Sequence, residues 1–325
     1  MTPDELDGWI PVGLFWEGGR PVVEWSCFSG VRFTAPFLDL EIEDAMRHPF
    51  RLLFRRRTAV AVLEERAATH PGIPPAGFIF HMSRCGSTLM AQMLAACVEN
   101  VVVSEGWPLD SVLHADAWHR EVTAADRRRW LEAVVCALGQ PRAGGERRYF
   151  VKFDARHALD LPLVRSAFPK VPWIFVYRDP VEVMVSHLNE PTLWTAPGIV
   201  PVRGMPWPGD GNGGGIDYPA RVIAAICEAA LAAMDQGGGL LVNYTELPGA
   251  MFGSVSAHVG CTWSVEEVAA MRSASIRHAK RPGEPFSPDS GRKRREADAR
   301  VRDTCDRIIG DVYRRLEARR VALLL

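Results

Sequence analysis

The sequence has no run of about 20 apolar residues, the length a helix needs to cross a bilayer. It opens on the acidic stretch M-T-P-D-E, unlike the basic and then apolar start of a secretory signal. It also lacks charge of one sign, because its net charge is -1 at pH 7 over 325 residues. There is therefore no global field for nucleic acid or anionic lipid. We expect a cytoplasmic protein that binds neither nucleic acid nor a membrane, with any anion site being local.

Cysteine is scarce and unpatterned. The seven cysteines are widely spread, form no C-x-x-C pair and have no histidine at zinc-finger spacing. This predicts reduced thiols and no structural metal. A hydrophobic content of 47% with 24% charged residues instead indicates a folded protein with a full core.

The first 70 residues predict a small elaboration that precedes the main domain. Short alternating runs with glycine, proline and aromatic residues predict a β-hairpin or meander over residues 9–37. Residues 39–70 predict a helix whose solvated face carries the basic stretch from Arg51 to Arg57. The proline-rich segment 71–75 ends that helix. We therefore assign residues 1–70 to the elaboration and residues 71–325 to one α/β domain with a C-terminal helix.

In the main domain, short apolar runs alternate with longer amphipathic stretches. This pattern predicts an α/β protein of the P-loop-like, three-layer kind, in which helices flank a central, mostly parallel sheet. The predicted strands cover residues 78–82, 100–104, 149–153, 173–177 and 240–244. The predicted helices cover residues 88–98, 124–138, 159–168, 181–188, 219–236 and, at the C-terminus, 292–320. The Gly- and Pro-rich stretch 197–215 is either a flap over a site or a surface loop.

The most informative segment is a strand, a short turn and a helix over residues 77–90. The first amides of such a helix point at one spot, where the positive end of the helix dipole also lies, and this favours an anion. Arg84 adds a charged fork of donors. The candidate phosphate-binding residues of the turn are Ser83, Arg84, Cys85, Gly86, Ser87 and Thr88.

This turn is not the P-loop of an ATP or GTP site. Such a loop needs a lysine directly before its Ser or Thr to reach the terminal phosphates. That position is Gly86 here, and the first glycine of the pattern falls on His81. The turn therefore predicts a different phosphate donor.

Residues 173–186 repeat the arrangement of strand, arginine and helix. Arg178 ends a buried strand, and Ser186 lies about two turns into the following helix. Ligands of open α/β sheets gather outside the carboxyl ends of the strands, so Arg84 and Arg178 predict one ligand with two anionic groups. The alternative is that Arg178 pairs with Asp179 or another carboxylate in a surface ion pair.

Both segments resemble the sulfotransferase superfamily that uses 3′-phosphoadenosine 5′-phosphosulfate (PAPS). Residues 82–89, M-S-R-C-G-S-T-L, look like the family's 5′-phosphosulfate turn, S-R-x-G-[ST]-[ST]-L. Residues 178–186, R-D-P-V-E-V-M-V-S, look like its 3′-phosphate element, R-[DN]-P-x-[DE]-V-x-x-S. The resemblance spans roughly residues 77–247 and implies PAPS as donor, adenosine 3′,5′-bisphosphate (PAP) as product and no metal.

The resemblance extends to residues 149–154, Y-F-V-K-F-D, and departs from the family there. Lys152 falls on the family's lysine, but Asp154 falls where many members have their catalytic histidine. The family's last 3′-phosphate loop has no clean match, and Lys280 or Arg281 is the nearest candidate donor.

Sulfuryl transfer is an in-line displacement at sulfur. Arg178 and Ser186 would anchor the remote phosphate, while Arg84, Lys152 and the turn amides would stabilise the charge that develops. A carboxylate base needs a raised pKa, which a nearby lysine opposes. The candidate bases are Glu105, narrowly preferred, Asp154 and His157.

The leading hypothesis is thus an enzyme that sulfates a hydroxyl or amine of a small molecule or peptide. The alternatives are an ATP-dependent, kinase-like phosphotransferase and a non-catalytic module that binds PAP. The oligomeric state stays open, a homodimer included.

The acceptor pocket has candidate wall residues among the tryptophans. Those in stretches suited to wall such a pocket are Trp107, Trp118, Trp194 and Trp207.

Overall fold

The chain was analysed as a computed structural model, which describes residues 2–205, 215–287 and 289–322. An antiparallel sheet of three strands lies near the N-terminus: β1 (Trp9–Glu17), β2 (Arg20–Cys27) and β3 (Arg56–Ala59). Gly18 and Gly19 join β1 to β2 and have φ values of 54° and 76°. A two-residue hairpin turn with both φ values positive matches the twist of the strands, and this explains the glycine pair. The predicted hairpin is present.

The interpretation of residues 39–70 as one helix is wrong. The segment instead contains α1 (Leu38–Met46), α2 (Pro49–Leu53), β3 and α3 (Val60–Thr69). Arg55 and Arg57 each place a guanidinium nitrogen 2.8 Å from the buried carboxylate of Glu24 in β2. The basic stretch therefore supplies ion pairs between strands rather than one solvated helix face.

The second sheet is the centre of the molecule. Its five strands are β4 (Pro75–His81), β5 (Asn100–Ser104), β6 (Arg148–Lys152), β7 (Trp173–Tyr177) and β8 (Gly239–Asn243). Neighbouring strands pair in the order β5-β6-β4-β7-β8, and every pairing is parallel. Every residue of β5 and of β7 is buried, as expected for strands covered on both faces. The predicted α/β class is confirmed, and each predicted strand lies within three residues of its observed bounds.

Helices connect these strands. They are α4 (Ser87–Ala95), α5 (Trp107–Leu113), α6 (Ala115–Trp118), α7 (Ala124–Leu138), α8 (Leu161–Ala167), α9 (Pro180–Asn189) and α10 (Asp217–Met234). Short 3-10 helices lie at Pro3–Leu6, Ala155–Asp160, Leu193–Thr195, Tyr244–Glu246 and Gly249–Phe252. After β8 come α11 (Ser254–His258), α12 (Val265–Ser275) and a small hairpin of β9 (Arg277–His278) and β10 (Arg281–Pro285).

The C-terminal region is three helices rather than the single predicted one: α13 (Ser290–Glu296), α14 (Ala299–Ile308) and α15 (Gly310–Ala322). Asp298 starts a new helix, because its side chain accepts a hydrogen bond from the Val301 amide. These helices nevertheless pack against the rest of the molecule, because Ile309, Val312 and Leu316 are buried.

The strand order creates a crevice at the carboxyl end of β4. The chain leaves β4 for β5 and β6 on one side and then crosses to β7 and β8 on the other. Such a reversal of direction separates the loops above neighbouring strands and leaves room for a ligand. The turn after β4 and the residues after β7 therefore face the same space.

Among the described helices, none is long and apolar enough to span a bilayer. All seven cysteines are free. The stretch 197–215, for which the sequence left a flap or a surface loop open, lies outside the described residues over 206–214.

The pairing of β3 with β2 can be tested at Thr58. Its hydroxyl accepts a hydrogen bond of 2.9 Å from the buried indole of Trp25. We expect Thr58→Val to lower the free energy of unfolding by about 1 to 3 kcal/mol, because the indole N–H loses its acceptor. Thr58→Ser keeps the hydroxyl and should cost much less in urea denaturation. Equal effects of the two substitutions would contradict this pairing.

Candidate functional site

A cavity of about 770 Å³ opens at the carboxyl ends of the central strands. Its lining includes twelve of the thirteen predicted site residues: Ser83, Arg84, Cys85, Gly86, Ser87, Thr88, Glu105, Asp154, Arg178, Ser186, Lys280 and Arg281. The thirteenth, Lys152, is fully buried directly behind Glu105. Seven Arg and Lys side chains line the cavity against four Asp and Glu, so its walls are net positive. The two arginine-bearing segments therefore share one space suited to an anion.

The turn between β4 and α4 owes its shape to three residues with positive φ. The values are 74° at Ser83, 51° at Arg84 and 90° at Gly86. This backbone leads into the first turn of α4, whose leading amides have no partner within the helix. The Cys85 thiol instead points into the core and donates a hydrogen bond to the Val176 carbonyl at 3.0 Å. Burial raises the pKa of this thiol to about 12, so Cys85 offers a ligand its backbone only.

Gly86 is required by space as well as by φ. A Cβ at this position would lie 2.8 Å from a ring carbon of Tyr244 and 2.9 Å from a methyl carbon of Leu247. Both neighbours follow β8 and lie beside the turn. The absence of a side chain thus lets Tyr244 and Leu247 pack directly against the turn.

Arg84 is held by Glu190 at the end of α9. One guanidinium nitrogen lies 2.9 Å from the Glu190 carboxylate and the other 2.6 Å from its carbonyl oxygen. The Arg84 charge holds the pKa of Glu190 below its usual range. Since 70% of the Glu190 side chain is exposed, this pair can be exchanged for another anion at little cost.

Arg178 is the centre of a buried polar cluster. Its Nε donates to Glu182 at 2.6 Å, and its Nη2 donates to Asp289 at 2.8 Å and to the Ser290 hydroxyl at 2.9 Å. Its guanidinium also stacks 4.0 Å from the centroid of the Tyr244 ring. The alternative of an ion pair with Asp179 or another carboxylate is met in part, because Arg178 pairs with Glu182 and Asp289. The pairing is buried rather than at the surface, and it does not involve Asp179.

Lys293 completes this cluster, and the sequence motifs did not identify it. Its Nζ lies 2.7 Å from the second carboxylate oxygen of Asp289. Burial alone would raise the pKa of Asp289, but hydrogen bonds from Arg178 and Lys293 outweigh burial and hold that pKa below its usual range. Lys293 lies in the basic run of residues 292–295, which by sequence resembles a solvated helix face. Its burial and its ion pair with Asp289, which also binds Arg178, distinguish it from its neighbours.

Lys152, Glu105 and His81 form a second buried group at the inner end of the cavity. The Lys152 ammonium is bonded to the Glu105 carboxylate. The His81 Nδ1 accepts a hydrogen bond from the Ser83 amide, and its Nε2 lies 3.3 Å from Glu105. Burial, followed by the charge of Lys152, lowers the pKa of His81, so its imidazole is neutral at pH 7. Glu105 therefore lies between the Lys152 side chain and a neutral ring.

The other two candidate bases, Asp154 and His157, differ in whether they reach the cavity. Asp154 lines the cavity, and its carboxylate accepts a hydrogen bond of 3.0 Å from the Arg156 amide. His157 is buried and lies 2.8 Å from Asp110, and it is not a lining residue of this cavity. The geometry removes His157 from the candidates.

His157 instead belongs to a cluster that superficially resembles a metal site. Asp110, His114 and His157 place possible ligand atoms within 4.8 Å of one another. However, the Arg156 guanidinium is bonded to Asp110 and contacts His114 at 3.3 Å. A cation therefore already fills this cluster.

The two residues proposed for the last 3′-phosphate loop lie at the tip of the β9–β10 hairpin. Lys280 is 5.7 Å from the Phe37 ring centroid, and Lys152 is 5.3 Å from the same centroid. Lys280 thus lies above the inner end, near Lys152. Arg281 pairs with Glu284 at 3.2 Å. Phe37 also shows that the N-terminal elaboration contributes to the cavity wall.

Of the four tryptophans considered for the wall of an acceptor pocket, one lines this cavity in the part of the chain that the structure describes. Trp194 lines the cavity, whereas Trp107 and Trp118 are not lining residues of it. Trp118 borders a separate cavity of about 430 Å³. Trp207 lies outside the described residues.

The need for glycine in the turn gives a first prediction. Gly86→Ala adds the strain of a non-glycine residue at positive φ, about 1 to 2 kcal/mol, and a clash with Tyr244. Gly19→Ala is the matched control, because its φ is also positive but no heavy atom lies within 4 Å of its added Cβ. We expect Gly86→Ala to lower the unfolding free energy more than the control. Equal losses in denaturant titrations would contradict the described packing.

The pair of Glu105 with Lys152 gives a second prediction. Burial alone would raise the pKa of Glu105, but Lys152 and His81 outweigh burial and hold it well below its ordinary value of 4.5. The stability from this carboxylate is therefore present above about pH 4.5 and lost as the pH falls below it.

We expect Glu105→Gln to lower the unfolding free energy by about 3 kcal/mol at pH 7, because buried Lys152 loses its counter-charge. The difference from wild type should shrink below about pH 4.5. Glu65→Gln, at an exposed position, is the control. A difference that stays constant from pH 7 to pH 3 in denaturant titrations would show that the pair is not ionised as described.

No protein-family model matches the chain, and no curated protein matches it in sequence. Solved structures of sulfotransferases do match. Sulfotransferase STF1 from Mycobacterium tuberculosis H37Rv matches over 66% of this chain and 76% of that one, with 15% identity and a TM-score of 0.41. Sulfotransferase STF9 from Mycobacterium avium matches over 65% and 71%, with 12% identity and a TM-score of 0.40. A retinol dehydratase in complex with retinol and PAP matches over 74% and 82%, with 14% identity and a TM-score of 0.37. The family that the motifs resemble is thus present among the structural neighbours of this fold.

Proposed function

We propose that this protein is a sulfotransferase, which moves a sulfuryl group from PAPS to a hydroxyl or amine of a small molecule or peptide. One observation carries the proposal. The Arg84 turn and the Arg178 element, about 90 residues apart in sequence, line one net-positive cavity. The Arg178 guanidinium even lies 3.5 Å from the Arg84 carbonyl oxygen. A nucleotide with phosphates at two places fits this arrangement better than one with a single anionic end.

The cavity also suits the shape of such a donor. The start of α4 lines the cavity, which gives the 5′-phosphosulfate access to the leading amides of that helix. Ser87, Thr88 and Ser186 line the cavity, and their hydroxyls make no hydrogen bond with the part of the chain that the structure describes. These groups are ready to donate to phosphate or sulfonate oxygens.

The residues divide between anchoring and chemistry. Arg178 and Ser186 would hold the 3′-phosphate and orient the donor. Arg84 and the turn amides would bind the sulfonate and the departing 5′-phosphate, where negative charge grows as the acceptor oxygen or nitrogen attacks sulfur. Lys152 would join them once its contact with Glu105 loosens, because it now lies behind that carboxylate.

Glu105 remains our first choice as the general base, with Asp154 second. A carboxylate with a lowered pKa is a weak base, so the pairing with Lys152 counts against Glu105 in the free protein. A bound sulfonate would attract Lys152 and free the carboxylate beside the acceptor. Asp154 has no lysine partner among the described residues and would take the role if Glu105 stayed paired.

Calorimetry and turnover assays test this proposal. We expect wild type to bind PAP more tightly than ATP with magnesium and to consume PAPS when offered a panel of phenols, alcohols and amines. ATP binding without PAP binding would favour the kinase-like alternative. PAP binding with no turnover across the panel would favour the non-catalytic module.

Two substitutions separate anchoring from chemistry. Arg178→Ala should weaken PAP binding by about 1.5 to 3 kcal/mol, because a charged hydrogen bond is lost. Lys152→Ala should lower turnover by roughly 10²- to 10³-fold with a smaller effect on PAP affinity. Lys170→Ala and Arg128→Ala are exposed controls, and thermal denaturation checks folding of all variants. Small, equal effects of Arg178→Ala and Lys152→Ala would refute the assigned roles.

A further inference from the structure

Asp289 occupies the cation clamp that Arg178 and Lys293 form at the outer end of the cavity. Each carboxylate oxygen has its own cation, with Oδ1 2.8 Å from Arg178 and Oδ2 2.7 Å from Lys293. A phosphate offers the same two-oxygen edge to such a pair. Asp289 therefore lies where an incoming phosphate would have to bind.

The rest of the Arg178 guanidinium is already committed. Its Nε faces Glu182, which is 2% exposed and also bonded to Arg294. Its Nη1 faces the Arg84 carbonyl. The Nη2 group donates to Asp289 and to the neutral Ser290 hydroxyl, so an anionic ligand that pairs with this edge takes the place of the Asp289 carboxylate.

Asp289 is placed to make that exchange. Its side chain is 28% exposed, compared with 5% for Arg178, and it lines the cavity. Although it precedes α13, its side chain caps no backbone amide there. Its link to the helix is through its carbonyl, which accepts from the Lys293 amide at 2.9 Å. Rotation of the side chain into water therefore breaks no backbone hydrogen bond.

We infer that Asp289 is a specificity-determining residue, which fills the Arg178–Lys293 clamp until a phosphate displaces it. The inference rests on the proposed function and adds to it a reason why the protein would favour nucleotides that carry a second phosphate. A nucleotide with a second, dianionic phosphate replaces a singly charged carboxylate and gains charge in the exchange. A nucleotide without that phosphate leaves Asp289 in place and gains nothing at the clamp.

The test compares PAP with AMP, which lacks the 3′-phosphate, by titration calorimetry on the full chain. Asp289→Asn keeps the shape but removes the competing charge. We expect it to lower the Kd for PAP by roughly 5- to 10-fold, since a charged competitor is replaced by a neutral one. The Kd for AMP should stay within about twofold of wild type. Asp289→Ser, which is too short to span both cations, should give the same pattern.

Asp303→Asn is the control for loss of one negative charge, because Asp303 is 77% exposed in α14 and lies outside the cavity lining. It should change neither affinity. A PAP affinity that falls or stays the same in both Asp289 variants would overturn the inference and leave the proposed function standing. An equal gain for PAP and AMP would also overturn it, as a general charge effect. Failure of wild type to bind PAP would overturn both proposals.

Discussion

Three of the predicted site cations are each bound to a carboxylate of the same chain. Lys152 is paired with Glu105, Arg84 with Glu190 and Arg178 with Asp289. A buried cation without a counter-charge would cost several kcal/mol, so a fold that stores cations for an anionic ligand must supply temporary partners. The partners differ in exposure, from 23% at Glu105 to 70% at Glu190, and the more exposed ones are the easier to displace.

The central sheet is what brings these pairs together. The strands that carry Lys152, Arg178 and the turn after β4 are neighbours, and all run in one direction. Their carboxyl ends therefore meet at one edge, where the reversal of strand order opens a crevice. Local backbone pairing then determines which side chains touch. The Glu105 amide donates to the Lys152 carbonyl at 2.7 Å, which continues the β5–β6 ladder by one residue and places the two side chains in contact.

The sequence predicted what is encoded locally. The buried strands are continuous apolar runs, and the Arg84 turn and Arg178 follow two of them directly, so fold class and cavity-facing residues could be inferred without coordinates. Asp289, Lys293 and Phe37 could not. Asp289 contacts Arg178, which lies 111 residues away, Lys293 matters through its pair with Asp289, and Phe37 comes from a separate N-terminal segment. The strand β3 was missed for a different reason. Four residues are too few to show an alternating pattern, and the basic stretch around them equally suits a helix face.

A crystal structure of the protein with PAP bound is the most direct test of whether the Arg84 turn and the Arg178–Lys293 clamp bind the two phosphates of one nucleotide. We expect the 5′-phosphate at the start of α4 beside Arg84 and the 3′-phosphate against Arg178 and Lys293. The Asp289 side chain should be turned away from Arg178 and Lys293. A nucleotide that contacts only the Arg84 turn or only the Arg178–Lys293 clamp would contradict this arrangement. So would a nucleotide that binds elsewhere while Asp289 keeps its place.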